Sequence, residues 1–188
     1  MHNLNPHIDE RRTNFRHLRV FKPAFIESDG KRYVAMLRDL SPGGAGFELE
    51  DASLVEGQPV TYRWGDSDAI VGRVVWADAG RVGITNETID KDFQLRLEKY
   101  RSVRMEMSAP AHIYSDGAKI AGETLNFGQR GLCALVSGQI RQGALATIEI
   151  GRRCFQNATA KWVDGERVGF ALSETMNVSE MNLLQKGL

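Results

Sequence analysis

The chain has 188 residues, 42% of them hydrophobic and 26% charged. That is the composition of an ordinary globular protein, with room for one medium domain or two small ones. Lysine plus arginine (24) equals aspartate plus glutamate (24), so the net charge is zero. A broad positive field of the kind that holds nucleic acid or an anionic membrane is excluded, and any anion site has to be local.

The opening stretch, MHNLNPHIDERR, lacks the apolar core of a secretory leader, and no run of about 18 apolar residues occurs anywhere. A cytoplasmic protein that does not insert into a membrane is expected. Residues 1–19 read as a polar arm with too few apolar side chains to order itself before it binds something. His2, His7 and His17 gather there near Asp9, at spacings that fit no metal site. Arg11, Arg12 and Arg16 are more informative. Guanidinium forks grip phosphate oxygens two at a time, stack on nucleobases and read the O6/N7 edge of guanine.

From Val20 onward the pattern is antiparallel β. The runs VFKPAFI and RYVAMLRD flank Asp29-Gly30, a dipeptide suited to the two positive φ angles of a type I′ hairpin. The second run leads into Asp39-Leu40-Ser41-Pro42-Gly43-Gly44. Asp39 is acceptor-only and suits the paired N–H donors of a guanine, and Ser41 adds an adaptable hydroxyl. Gly43 and Gly44 permit positive φ and a close approach of backbone to ligand, although the same six residues also spell an ordinary turn. PVTYRW and AIVGRVVW follow, with Ile70, Val74 and Trp76 expected on one face and Gly72 at a close approach. Trp76 is thus either a core residue or a stacking partner for a ligand. Between 88 and 101 the period changes: Ile89, Phe93, Leu97 and Tyr100 recur at helical spacing and predict a linker helix.

The remainder repeats the beginning. Pro23-Ala24 returns as Pro110-Ala111, Ser28-Asp29-Gly30 as Ser115-Asp116-Gly117, and Asp39 and Gly44 as Asn126 and Gly131. After one single-residue gap, Gly57 returns as Gly143, Trp76 as Trp162, and Arg81-Val82-Gly83 as Arg167-Val168-Gly169. A colinear series of this kind is a tandem duplication. It divides the chain into the arm (1–19), a first domain (20–87), the linker helix (88–101), a second domain (102–175) and a C-terminal helix and tail (176–188). In that tail Asn177 and Glu180 form a capping pair ahead of an apolar stripe, Val178, Met181 and Leu184. Short strands with turns every 8–12 residues predict a mainly β fold, and a small sheet removes its edges by closing into a barrel.

Enzyme signatures are missing: no phosphate-binding loop, no HExxH, no nucleophile elbow. Cys133 and Cys154 share no metal or redox spacing and read as free thiols. No catalytic residue, metal or cofactor is expected.

Arg12-xxx-Arg16 followed by Asp39-x-Ser41-x-x-Gly44 resembles the PilZ family, receptors for the bacterial second messenger cyclic di-GMP. GRVVWADAGRVGI is similar to that family's closing strands, and the resemblance covers residues 11–86. It implies two tandem six-stranded antiparallel barrels, each followed by a helix. It also implies that Arg12 and Arg16 embrace phosphates and guanines while Asp39, Ser41 and Gly44 hold a guanine. Arg11, preceding the RxxxR pattern, implies an intercalated ligand dimer. In the second copy Arg12, Arg16 and Ser41 become Lys99, Val103 and Gly128, and Arg101 and Arg104 stand at the wrong spacing. The resemblance therefore implies a degenerate second barrel that contacts a protein partner, with motility, biofilm or exopolysaccharide as output. Two other readings stand beside it: a PilZ-like protein–protein adaptor that binds no nucleotide, and a small-barrel binder of single-stranded nucleic acid. The zero net charge disfavours the last.

Overall fold

A computed structural model describes residues 18–50, 53–65, 68–98 and 101–187. The first copy contributes β1 (Leu18–Ser28), β2 (Lys31–Ser41), β3 (Gly44–Glu48), β4 (Pro59–Trp64), β5 (Ile70–Asp78) and β6 (Arg81–Asn86). Next come the short helix α1 (Phe93–Glu98) and the second copy: β7 (Met105–Ser115), β8 (Ala118–Gly128), β9 (Gly131–Val136), β10 (Leu145–Ile150), β11 (Arg153–Asp164) and β12 (Arg167–Ala171). Helix α2 (Val178–Gln185) ends the ordered elements. Each copy is a closed six-stranded barrel, in the order β1-β2-β3-β6-β5-β4 and, identically, β7-β8-β9-β12-β11-β10. All pairings are antiparallel. β1 starts at Leu18, so Leu18 and Arg19, assigned to the arm from sequence, belong to the first strand.

Asp29 (φ 50°) and Gly30 (φ 72°), like Asp116 (φ 49°) and Gly117 (φ 78°), have the two positive φ angles that a type I′ turn requires. The duplication extends to the irregularities. Register shifts at Arg19/Lys22, Leu37/Asp39 and Val74/Trp76 recur at Glu106/Ala109, Thr124/Asn126 and Ala160/Trp162. A β-bulge inserts one residue and so reverses the inside–outside alternation beyond it. Hence Leu37 and Leu40 point inward and are buried while Arg38 and Asp39 both face outward. The same device overturns the expectation that Trp76 shares a face with Ile70 and Val74: Val74 is buried, whereas Trp76 lies on the outer surface, 46% exposed.

The linker helix begins later than the sequence predicts. Ile89 precedes it and is exposed, Phe93 and half-buried Leu97 pack on the first barrel, and Tyr100 lies outside the described residues. Its N-terminal flank is drawn away by the barrel: the Asp90 N–H donates to the Pro42 carbonyl (2.8 Å), and Asp90 Oδ1 accepts from the Asp92 N–H (3.1 Å). Helix α2 is capped as its sequence predicts. Asn177 Oδ1 accepts from the Glu180 N–H and Glu180 Oε2 from the Asn177 N–H, both at 2.9 Å. Val178, Met181 and Leu184 are buried in the second barrel's apolar cluster, which also takes in Phe25 and Val34 of the first.

Candidate functional site

Two of the first barrel's three bulges, at Leu37/Asp39 and Val74/Trp76, frame one row on its outer face. Asp39 pairs with Gly46, Gly46 with Gly83, and Gly83 with Trp76, across β2, β3, β6 and β5. A Cβ on Gly46 would lie 3.4 Å from Asp39 Oδ2, and one on Gly83 would fall 2.1 Å from Trp76 Nε1. The indole therefore lies flat on Gly83, an aromatic covering a bare stretch of sheet. Gly46 leaves a stretch of sheet without a side chain, with the Asp39 carboxylate on one side and the indole-covered Gly83 on the other. Among the described residues the Asp39 carboxylate makes no hydrogen bond or ion pair, and Arg19, its register partner on β1, presents an exposed cation next to it.

The turn beside Asp39 is tightly held. The Ser41 hydroxyl donates to the Gly44 carbonyl (3.2 Å). The Gly43 carbonyl accepts from the Asn86 N–H (2.9 Å), and the Pro42 carbonyl from Asn86 Nδ2 (3.1 Å) as well as from Asp90. Gly43 and Gly44 are not required for a positive φ, since neither has one. Gly44 is glycine because a Cβ there would sit 2.3 Å from the Ile84 carbonyl oxygen. Its counterpart Gly131 meets the Phe170 carbonyl at 2.5 Å. That requirement belongs to the barrel, which is why both copies keep it.

Of the sequence candidates, the structure places Asp39, Ser41, Gly43 and Gly44 at one end of β2 and β3. Trp76 stands three strands from Asp39, at the far end of the same row. Arg11, Arg12 and Arg16 lie outside the described residues. Sequence reasoning missed Gly46, Gly83 and Arg19, because pairing across strands, not spacing along one, brings them to this row.

The second barrel closes the equivalent row with its own chain. Asn126, the counterpart of Asp39, accepts from Arg104 Nη1 at 3.0 Å. Cys133 replaces Gly46 and is buried. Val103, at the position of Arg16, is 1% exposed and joins the core. Its carbonyl passes so close to Gly128 that a Cβ there would be 2.9 Å away, which accounts for the loss of the serine at this position. The lost polar contacts are thus one coordinated change: the entering strand plugs the barrel. Among the described residues no cluster of His, Cys, Asp and Glu is fit to hold a metal, and no helix is long and apolar enough to cross a membrane.

The PilZ domain model matches residues 10–100. No curated protein matches the chain. Among solved structures it is similar to the Bacillus subtilis inhibitor of motility MotI/DgrA, at 12% identity over 90% of this chain and 96% of that one (TM-score 0.38). It is also similar to Borreliella burgdorferi PlzA in complex with c-di-GMP, at 10% identity over 95% of both chains (TM-score 0.38). Escherichia coli YcgR in complex with c-di-GMP gives 12% identity over 86% of this chain and 80% of that one (TM-score 0.34). Likenesses at these TM-scores say nothing of activity. The matched span takes in the first barrel, its bulges and its outer row, and residues 10–100 of this chain are a PilZ domain.

Proposed function

We propose that the first barrel is a receptor for cyclic di-GMP, held between the arm arginines Arg11, Arg12 and Arg16 and the outer row from Asp39 to Trp76. The observation that carries this reading is the unengaged Asp39 carboxylate facing outward beside Gly46, where the second barrel has Asn126 capped by Arg104 and Cys133 in place of the glycine. A carboxylate accepts the two N–H donors on a guanine's Watson–Crick edge. Gly46 lets a base approach the sheet beside the carboxylate, and Trp76, lying over Gly83, offers the outer face of its indole beyond it. The arginines supply bidentate contacts to phosphates, and Arg11 gives the extra cation that a second, intercalated ligand molecule needs. Clamping the ligand would fix the arm against β1, whose outer face also meets the second barrel through Phe25. Ligand binding then biases the arrangement of arm and barrels by its differential affinity for the two states. The second barrel, closed to nucleotide, would present the protein-binding surface through which motility, biofilm or exopolysaccharide output is set.

Titration calorimetry with cyclic di-GMP tests the site. Asp39→Ala and Arg16→Ala should each lose a charge-assisted contact of about 1.5–3 kcal/mol, roughly 10- to 100-fold in affinity. Lys99→Ala should bind as wild type, and a single-stranded oligonucleotide should give no heat. Unchanged affinity in both first-barrel variants overturns the assignment.

A further inference from the structure

We infer that Tyr62 and Asn86 are positioning residues for the nucleotide site, a polar brace that holds the Pro42-Gly43 turn so that Asp39 and Ser41 keep their outward geometry. The inference deepens the cyclic di-GMP site proposed above and rests on it for its ligand. Tyr62 is 1% exposed inside the first barrel, with its ring edge-on to Phe47 (centroids 5.1 Å apart, 67° between planes). Its hydroxyl donates to Asn86 Oδ1 at 2.7 Å, and Asn86 Nδ2 donates to the Pro42 carbonyl at 3.1 Å. The Pro42 carbonyl can only accept, so the amide must turn its NH2 toward the turn and its oxygen toward the phenol. One buried hydroxyl therefore fixes the amide, and the amide fixes the turn that joins Ser41 to Gly44.

The second copy shows that the barrel does not need this brace. Its two backbone bonds are reproduced there: the Leu172 N–H donates to the Arg130 carbonyl (2.9 Å) and the Met176 N–H to the Gln129 carbonyl (2.8 Å), matching Asn86 to Gly43 and Asp90 to Pro42. The side chains are not reproduced. Tyr62 and Asn86 become Ile148, fully buried, and Leu172, packed against the core. Putting a hydroxyl and an amide into a barrel wall is unfavourable unless both are satisfied, and an apolar pair does the packing equally well. The polar pair occurs only in the copy whose turn carries Asp39 and Ser41. Its purpose is the turn, not the barrel.

The test uses Asn86→Leu, the second copy's own residue, and Tyr62→Phe, which removes the hydroxyl alone. Two readouts are taken on the full chain. Without ligand, hydrogen exchange of the amides at 86 and 90, which bond the turn's carbonyls, should speed up about 3- to 10-fold while exchange in β8 and β9 stays unchanged. With cyclic di-GMP, calorimetric affinity should fall about 3- to 10-fold in either variant, measured well below each variant's own thermal midpoint. Unchanged exchange at 86 and 90 in both variants overturns the brace whether or not the chain binds nucleotide. Faster exchange with unchanged affinity overturns its role in positioning the site. A wild-type chain that binds no cyclic di-GMP defeats the ligand assignment instead, and the exchange data then decide the brace alone. Should Asn86→Leu fail to fold, Tyr62→Phe carries both readouts.

Discussion

Gly43 and Gly44 look interchangeable in the sequence, and the molecule treats them oppositely. A Cβ on Gly43 meets nothing within 4 Å, whereas one on Gly44 strikes the Ile84 carbonyl oxygen at 2.3 Å, and backbone cannot yield as a flexible side chain would. Gly44→Ala should therefore destabilise the first barrel by about 2–3 kcal/mol, the scale of overpacking a filled site, and Gly43→Ala should stay within about 0.5 kcal/mol of wild type. Denaturant unfolding of the two variants checks the pair, and equal midpoints would refute the steric account. The turn after Asp39 was legible, because Asp, Ser, Pro and Gly in this order bend a chain wherever it lies. Which way the side chains face was not. Strict alternation sends both Asp39 and Trp76 inward, and only the register of neighbouring strands reveals the inserted residues Arg38 and Val75 that turn them out.

At the scale of elements, turn dipeptides and capping pairs were readable because their physics is local. Asp29-Gly30 and the Asn177/Glu180 box each satisfy their own backbone within four residues. The start of the linker helix was misread because a distant partner, the Pro42 carbonyl, competes for its first residues. The cap of α2 carries a pH dependence. The Asn177 N–H, donating to the carboxylate, holds Glu180 below the usual carboxylate range, helped by Arg153, whose Nη2 lies 2.7 Å from Oε1. A group with a depressed folded pKa binds its proton more readily in the unfolded chain. Its contribution is therefore complete above the ordinary glutamate range and is lost as pH falls through the folded value. Glu180→Gln should cost stability at neutral pH, and its deficit should shrink toward zero on acidification. Unfolding curves at neutral and acid pH measure this, and a deficit independent of pH would remove Glu180 from the linkage.

Over the whole molecule, the two barrels differ most where they meet. On the outer face of β1 and β2, Phe25 pairs with Val34 and both are buried, while their counterparts His112 and Ala121 in the second barrel are exposed. Ala24, Ile26, Ala35 and Leu37 already fill the inside of these strands, so Phe25 and Val34 serve the contact and not the barrel's own core. Polar pins reinforce it from α2: Ser179 and Asn182 donate to the Glu50 carboxylate, and Gln185 Nε2 donates to the Arg32 carbonyl at 3.4 Å. A face that is apolar in one copy and polar in the other marks an interface, a signal present in the sequence but visible only once the repeat is aligned strand by strand. Giving the first barrel the second's residues, Phe25→His with Val34→Ala, removes apolar burial between the barrels of about 3–5 kcal/mol and leaves the side chains inside the first barrel untouched. Scanning calorimetry of wild type should then show one transition, because neither barrel unfolds without exposing the shared cluster. The double variant should show two, with the midpoint of the second barrel lowered, since α2 loses one wall of its packing. A single transition at the wild-type midpoint would mean that the barrels are coupled through the residues between β6 and β7 and not through this face.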